Sequence, residues 1–294
     1  MSRRILIGGG SGLIGSHLTK LLSNKGYNVR HLGRRAKDTP VKTFEWDMDK
    51  QTIDKRAFEG VDVVINLAGA NISERRWTEK FKKEMLTSRT VSTQLIVDNI
   101  KDKPGVHFIA GSAIGYYGFG DSSKSFKETD LPGSDFMAQL TVEWEKVASQ
   151  LDNLTHIRTG IVVSEKGGAV EEMSKPIKLG VGAPLASGEQ IISWIHIDDH
   201  CGILIHILEN KLKGIFNLVA PQPVTNEEMT RAIARKLHRP LWLPNIPPFV
   251  LKIVLGEMAD SVINGYKVSS EKIQSTGYQF KYPTFNEALN ATRN

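Results

Sequence analysis

Cysteine is all but missing from this chain: Cys201 is the only one in 294 residues. A lone thiol cannot close an internal disulfide, nor supply a zinc ribbon or a Cys-x-x-Cys redox pair. Long apolar runs are also lacking. Near the amino terminus only Ile5-Leu-Ile7 stands together before glycine interrupts, too short for a secretory core. The most apolar later stretch, residues 246–265, is broken by Pro247, Pro248, Lys252, Glu257 and Asp260, and reads as an amphipathic helix rather than a membrane span. Aromatic residues make up 7% of the chain, with no nucleic-acid-binding signature beside them. The expectation is a cytoplasmic protein with no membrane partner and no nucleic-acid partner.

The bulk composition is that of a globular protein, 40% hydrophobic and 24% charged, which excludes disordered and fibrous classes. Lys+Arg 38 against Asp+Glu 32 leaves a net charge of +6, consistent with an anion-binding pocket on a mildly basic surface.

The strongest local pattern is Arg4-Ile-Leu-Ile7, then Gly8-Gly-Gly-Ser-Gly-Leu-Ile-Gly15, then the helical spacing of Leu18, Leu21 and Leu22. This is strand, glycine turn, helix. Gly26 stops the helix and residues 27–32 form a second strand, completing a βαβ unit. Further strands are expected at 61–67, 107–110, 156–163 and 214–219, with helices at 79–100, 138–150 and 199–208. Such alternation predicts an α/β fold, a Rossmann-type doubly wound parallel sheet. From residue 164 glycine-rich loops and two capping boxes, Thr225 with Glu228 and Thr284 with Glu287, announce a smaller C-terminal α+β lobe. The expected division is a nucleotide-binding unit over 1–163, to which 193–220 return, and a lobe built from 164–192 and 221–294.

In the turn, Gly9, Gly12 and Gly15 are three apart. Gly9 makes the tight bend, Gly12 lets backbone approach a pyrophosphate, and Gly15 lets the helix pack on the strand, its amino terminus attracting the phosphates. A dinucleotide is therefore expected here. The second strand ends Leu32-Gly33-Arg34-Arg35, with no carboxylate for a ribose 2′-hydroxyl and two guanidiniums for a 2′-phosphate. NADP(H) is the expected cofactor, although a solvated arginine pair reads the same way.

The glycine turn, Asn66-Leu-Ala-Gly69 and Gly111-Ser-Ala-Ile-Gly-Tyr-Tyr-Gly118 together resemble the extended short-chain dehydrogenase/reductase superfamily, the NAD-dependent epimerase/dehydratase group. The segments Arg76-Trp-Thr-Glu through Ser88-Arg89, Ser193-Trp-Ile-His-Ile-Asp-Asp199, Gly214-Ile-Phe-Asn-Leu-Val-Ala-Pro221 and Gly256-Glu-Met-Ala-Asp260 are similar to its "epimerase family protein" branch, which has a C-terminal domain of unknown function. The resemblance implies that Gly9, Gly12, Leu13, Ile14 and Gly15 form the phosphate turn and that Gly33 and Arg34, with Arg35 beside them, meet the adenosine ribose phosphate. It places Asp47 near adenine, and Leu67, Ala68 and Gly69 along ribose and pyrophosphate. Glu84 and Arg89 would contact NADP from the following helix, and Val162 would lie under the nicotinamide.

The superfamily works through a tyrosine activated by a lysine four residues on, and this pair is missing. Position +4 from Tyr27, Tyr116, Tyr117, Tyr266, Tyr278 and Tyr282 holds His31, Gly120, Asp121, Ser270, Tyr282 and Asn286. Ser112, Tyr116 and Tyr117 remain as catalytic candidates, but without a lysine a phenol near its usual pKa of ~10 is a poor base. A Gly-x-Ser-x-Gly elbow is absent. His196, Asp198, Asp199 and His200 suggest a metal, yet His196 alternates with apolar strand neighbours and Asp198 reads as a helix N-cap, so no metal is expected. The loop 180–188 and Trp194 could shape a second ligand's pocket, and Trp242, Pro244 and Phe249 could cover a cleft or form a homodimer surface. The sequence thus reads as an oxidoreductase or epimerase-like enzyme acting on a small, sugar-derived or nucleotide-sugar-like substrate with a non-standard proton relay. The alternative is an NADPH-binding sensor or partner-binding module that has lost catalysis.

Overall fold

Short apolar runs buried on both sides build one large sheet. In chain order the strands are β1 (Arg4–Gly8), β2 (Asn28–Gly33), β3 (Thr43–Asp47), β4 (Thr52–Ile53), β5 (Val63–Asn66), β6 (His107–Ala113), β7 (Ser125–Phe126), β8 (Leu154–Thr159), β9 (Ile161–Ser164), β10 (Gly167–Gly168), β11 (Ile191–Ile192), β12 (Trp194–His196), β13 (Gly214–Leu218), β14 (Val224–Thr225) and β15 (Lys267–Val268). The helices are α1 (Leu13–Asn24), α2 (Glu79–Ile100), α3 (Phe136–Ala148), α4 (Ala169–Lys178), α5 (Ile197–Asn210), α6 (Asn226–Lys236), α7 (Pro248–Leu255), α8 (Asp260–Ile263), α9 (Glu271–Ser275) and α10 (Phe285–Ala291). This computed structural model describes residues 3–38, 40–119 and 124–292.

The main sheet has the order β13-β8-β6-β5-β1-β2-β3-β4 and is parallel except for β4, which runs antiparallel to β3. Alternation along β1 sends Ile5 and Ile7 to one face, against Leu18, Leu22 and the α5 residues Ile203 and Leu204, and Leu6 to the other, with Phe108 and the α2 residues Ile96 and Val97. Helices cover both faces, so the fold is the expected doubly wound, Rossmann-type α/β sheet.

The expected single strand over 156–163 is two strands. A side chain at Gly160 would lie 2.7 Å from the Ser193 carbonyl, and at this close approach the chain bends so that β9 leaves the main sheet and pairs with β12. Trp194, Met229 and Phe285 share a core cluster apart from the two that sandwich the main sheet, and both capping boxes form, opening α6 and α10. The amphipathic helix expected over 246–265 is instead α7, a 3₁₀ turn at Gly256–Ala259 and α8; of the α7 residues only Leu251 is buried. Among the described residues no helix is long and apolar enough to cross a membrane.

Candidate cofactor site

Strand register aligns Leu32, Gly8, Asn66 and Ala110 in one row across β2, β1, β5 and β6. The segments that leave these strands therefore emerge at one edge: Gly33-Arg34-Arg35, the glycine turn, Leu67-Ala68-Gly69, and Ser112. This carboxyl edge is where open parallel sheets bind ligands.

Gly9 has φ +76°, and a Cβ there would lie 2.9 Å from the Ala68 nitrogen and the Leu67 carbonyl carbon. Gly15 sits so tightly on Gly9 and Gly10 that no side chain fits. Gly12 donates its amide to the Gly9 carbonyl at 3.0 Å and caps α1 without a side-chain hydrogen bond, and no acid lies in the first turn. The helix thus presents bare amides and the positive end of its dipole, which suits a phosphate group. Leu13, Ile14, Leu67 and Val162 are half-buried against one core cluster and Ala68 against the opposite one, bringing these positions around the turn.

Asn66, buried at the end of β5, shapes the next segment. Its amide nitrogen donates to Ser92 Oγ at 3.2 Å and Thr93 Oγ1 at 3.3 Å, and its oxygen accepts the Ala68 amide at 3.2 Å. Beyond it, Arg89 lies under Gly69 and over the Trp144 ring, donating to the Met85 and Ala70 carbonyls at 2.9 and 3.0 Å. Burial pushes its pKa down to about 10, and no carboxylate pairs with it among the described residues. Glu84 is about 140° away around α2 and forms a half-exposed 3.6 Å pair with Arg75. The two predicted α2 contacts therefore face different ways. Asp47 closes the turn after β3 by accepting the Asp49 and Lys50 amides, while Trp46 packs against Gly8. Arg34 and Arg35 are exposed, with no ion-pair partner among the described residues.

Ser112 and Tyr117 enter a buried polar network. The Ser112 hydroxyl donates to Glu145 at 2.5 Å; Arg158 grips the same carboxylate at 2.8 and 2.9 Å and reaches the Tyr117 hydroxyl at 3.1 Å; that hydroxyl donates to Asn217 at 2.7 Å. Burial pushes the Tyr117 phenol up to about 12, the wrong direction for a base. Tyr116 stacks its ring 3.3 Å from the Arg158 guanidinium and faces a cleft beside α3. Helix α3, where the superfamily pattern seeks the Tyr–Lys pair, presents Met137 and Thr141, both buried, with the Thr141 hydroxyl spent on the Met137 carbonyl. Sequence reading passed over Glu145, Arg158 and Asn217. One signal was available: an arginine in the strand segment Leu154-Thr-His-Ile-Arg-Thr159, whose middle four residues are buried.

The group at 196–200 is tied into the surrounding fold by hydrogen bonds and ion pairs. His196, rather than Asp198, caps α5, its Nδ1 accepting the Asp198 amide at 3.2 Å, because the helix begins at Ile197, two residues before an Asp198 cap would start it. Asp198 pairs with His17 and Lys281, each at 2.8 Å. Asp199 accepts the Tyr278 hydroxyl and the Lys281 and Tyr282 amides.

A doubly wound parallel sheet whose glycine turn feeds a bare helix terminus defines a Rossmann-type nucleotide-binding protein. The chain belongs to the NAD dependent epimerase/dehydratase family, which matches residues 5–219, and residues 246–292 match the Domain of unknown function (DUF1731). It is an NAD(P)-binding epimerase-family protein. It is 37% identical to the epimerase family protein SDR39U1 of Mus musculus, over 97% of this chain and 98% of that one, and 36% identical to the epimerase family protein Mb2239 of Mycobacterium bovis, over 97% and 96%. A crystal structure of human epimerase family protein SDR39U1 with NADPH superposes with a TM-score of 0.88 at 33% identity, covering 98% of each chain. The Thermus thermophilus UDP-glucose 4-epimerase complex with NAD, at 18% identity and TM-score 0.78 over 98% and 97%, shares the fold.

Proposed function

We propose that this protein binds NADP(H) and is an oxidoreductase or epimerase-like enzyme for a small, nucleotide-sugar-like substrate. The observation that carries the cofactor choice is the end of β2, where Arg34 and Arg35 stand exposed, without ion-pair partners among the described residues, at the position an NAD enzyme gives to a carboxylate. A ribose 2′-phosphate supplies the charge they lack, and the human relative's structure with NADPH supports the same choice. The bare α1 terminus holds the pyrophosphate, Arg89 lies beside Gly69 with no counter-ion among the described residues, and Leu13, Ile14, Leu67 and Val162 exclude water. Bound NADP(H) would exchange a hydride with a substrate carbon; the accompanying proton comes from a group other than a Tyr–Lys pair. Because Ser112 and Tyr117 are committed to the Glu145–Arg158 network, a second reading is a non-catalytic NADPH-binding module.

Arg34→Ala tests the assignment: tryptophan quenching should show NADPH binding weakened by about tenfold or more, with NADH binding unchanged. Equal loss for both nucleotides overturns it. Deuterium transfer from 4-deuterated NADPH to the carbonyl carbon of a keto nucleotide sugar, with a solvent proton taken up on its oxygen, distinguishes the enzyme from the module.

A further inference from the structure

An open cleft of about 530 Å³ lies between α3 and the strands β8 and β13, reaching the first residues of both, Leu154 and Gly214. Leu154, Ile215 and the Tyr116 ring give it apolar walls, and His156, Lys146 and Lys213 supply polar ones. His156 is 6% exposed, and its Nδ1 is buried with no hydrogen-bond partner among the described residues. Proteins rarely leave such a nitrogen stranded without a ligand or function to account for it. Burial holds the imidazole pKa below its ordinary value, with Glu145 acting the other way and Arg158 adding to the depression, so the ring is neutral at pH 7.

The charges around the cleft are uneven. Lys146 and Lys213 form no ion pair among the described residues, whereas the Glu145 carboxylate is already engaged by Arg158 and Ser112. Asp152 is the remaining acid in the lining, and it is exposed. We propose that this cleft is a binding site for a small amphiphilic anion, an aromatic or short aliphatic body bearing one carboxylate, sulfonate or phosphate group, separate from the cofactor edge. The body rests on Leu154, Ile215 and Tyr116, the anionic head meets Lys146 and Lys213, and the ring of His156 turns to pair its idle nitrogen. The volume suits a ligand of this size.

The probe is 8-anilinonaphthalene-1-sulfonate, titrated into the full chain with fluorescence as readout. One saturable site is expected, weakened about tenfold in Lys213→Glu and unchanged in the double variant Phe249→Ser/Ile253→Ser, which removes exposed apolar side chains of α7. Lys213 is exposed, so that charge reversal leaves the core intact. At saturation the His156 side-chain nitrogen resonance should shift. Fluorescence that is indifferent to Lys213→Glu, that disappears in the α7 variant, or that leaves the His156 resonance unmoved overturns the proposal.

Discussion

Arg158 holds the Glu145 carboxylate by a two-bond fork, Nε to Oε1 at 2.8 Å and Nη2 to Oε2 at 2.9 Å, with the arginine side chain 1% exposed. The pair joins β8 to α3 directly under β6, and Ser112 and Tyr117 hang from it. Glu145→Ala leaves a buried guanidinium uncompensated and should cost about 3–5 kcal/mol, read as a lower urea midpoint. Glu145→Leu combined with Arg158→Leu should recover most of that loss. A single-variant effect below about 1 kcal/mol would remove the pair from the fold's supports.

Acid should weaken the fold well before carboxylates as a class protonate. Burial lowers the imidazole pKa of His107 to about 4 and of His200 to about 3, so both are neutral when folded. Unfolded, each takes up a proton below about 6.5; every such histidine therefore subtracts about 1.4 kcal/mol per pH unit as pH falls from there towards the folded value. Glu145 adds to the loss at lower pH. Burial raises its carboxyl pKa, but the Arg158 hydrogen bonds and charge outweigh that and hold it below its usual value, so its contribution is present above the ordinary carboxylate range and disappears below it. Urea denaturation between pH 7 and 4 should show stability falling throughout, less steeply in His107→Gln. A flat profile from 6.5 to 4.5 refutes this.

Tyr117→Phe separates a packing role from a chemical one. It deletes a hydroxyl that donates to Asn217 and accepts from Arg158. The expected cost is about 1–2 kcal/mol of stability, with NADPH affinity unchanged. Unchanged stability together with lost nucleotide affinity or turnover would instead put the phenol at the cofactor.

Gly9→Ala should abolish dinucleotide binding and cost about 1–3 kcal/mol, since φ +76° and the 2.9 Å approach of the 67–68 backbone leave a methyl group no room. Gly105→Ala, which meets nothing within 4 Å, is the control and should be close to neutral on both counts. Calorimetry of both variants decides whether the turn is as restricted as its geometry indicates.

The features legible in the linear chain are those whose physics is local. The turn from Gly9 to Gly15 is written in glycines whose places admit no side chain at Gly9 and Gly15, and the boxes at Thr225 and Thr284 close within one helical turn. The strand β3 went unread although Phe44 and Trp46 alternate inward, because five residues between loops carry too weak a period. The break at Gly160 was equally hidden, since the Ser193 carbonyl that approaches it lies more than thirty residues away.

The same division holds at the site. Residue chemistry and spacing along the chain announced a parallel sheet, a phosphate turn and a pair of arginines where a carboxylate was missing, because each depends on neighbours in sequence. That Ser112 and Tyr117 bond to Glu145, Arg158 and Asn217, that Glu84 turns away from Arg89, and that His156 keeps an idle nitrogen beside a cleft were settled only by folding. Hydrogen bonds and burial are set by which distant elements meet, and the pairing of β6 with β8 and of β8 with β13 brings these groups into reach.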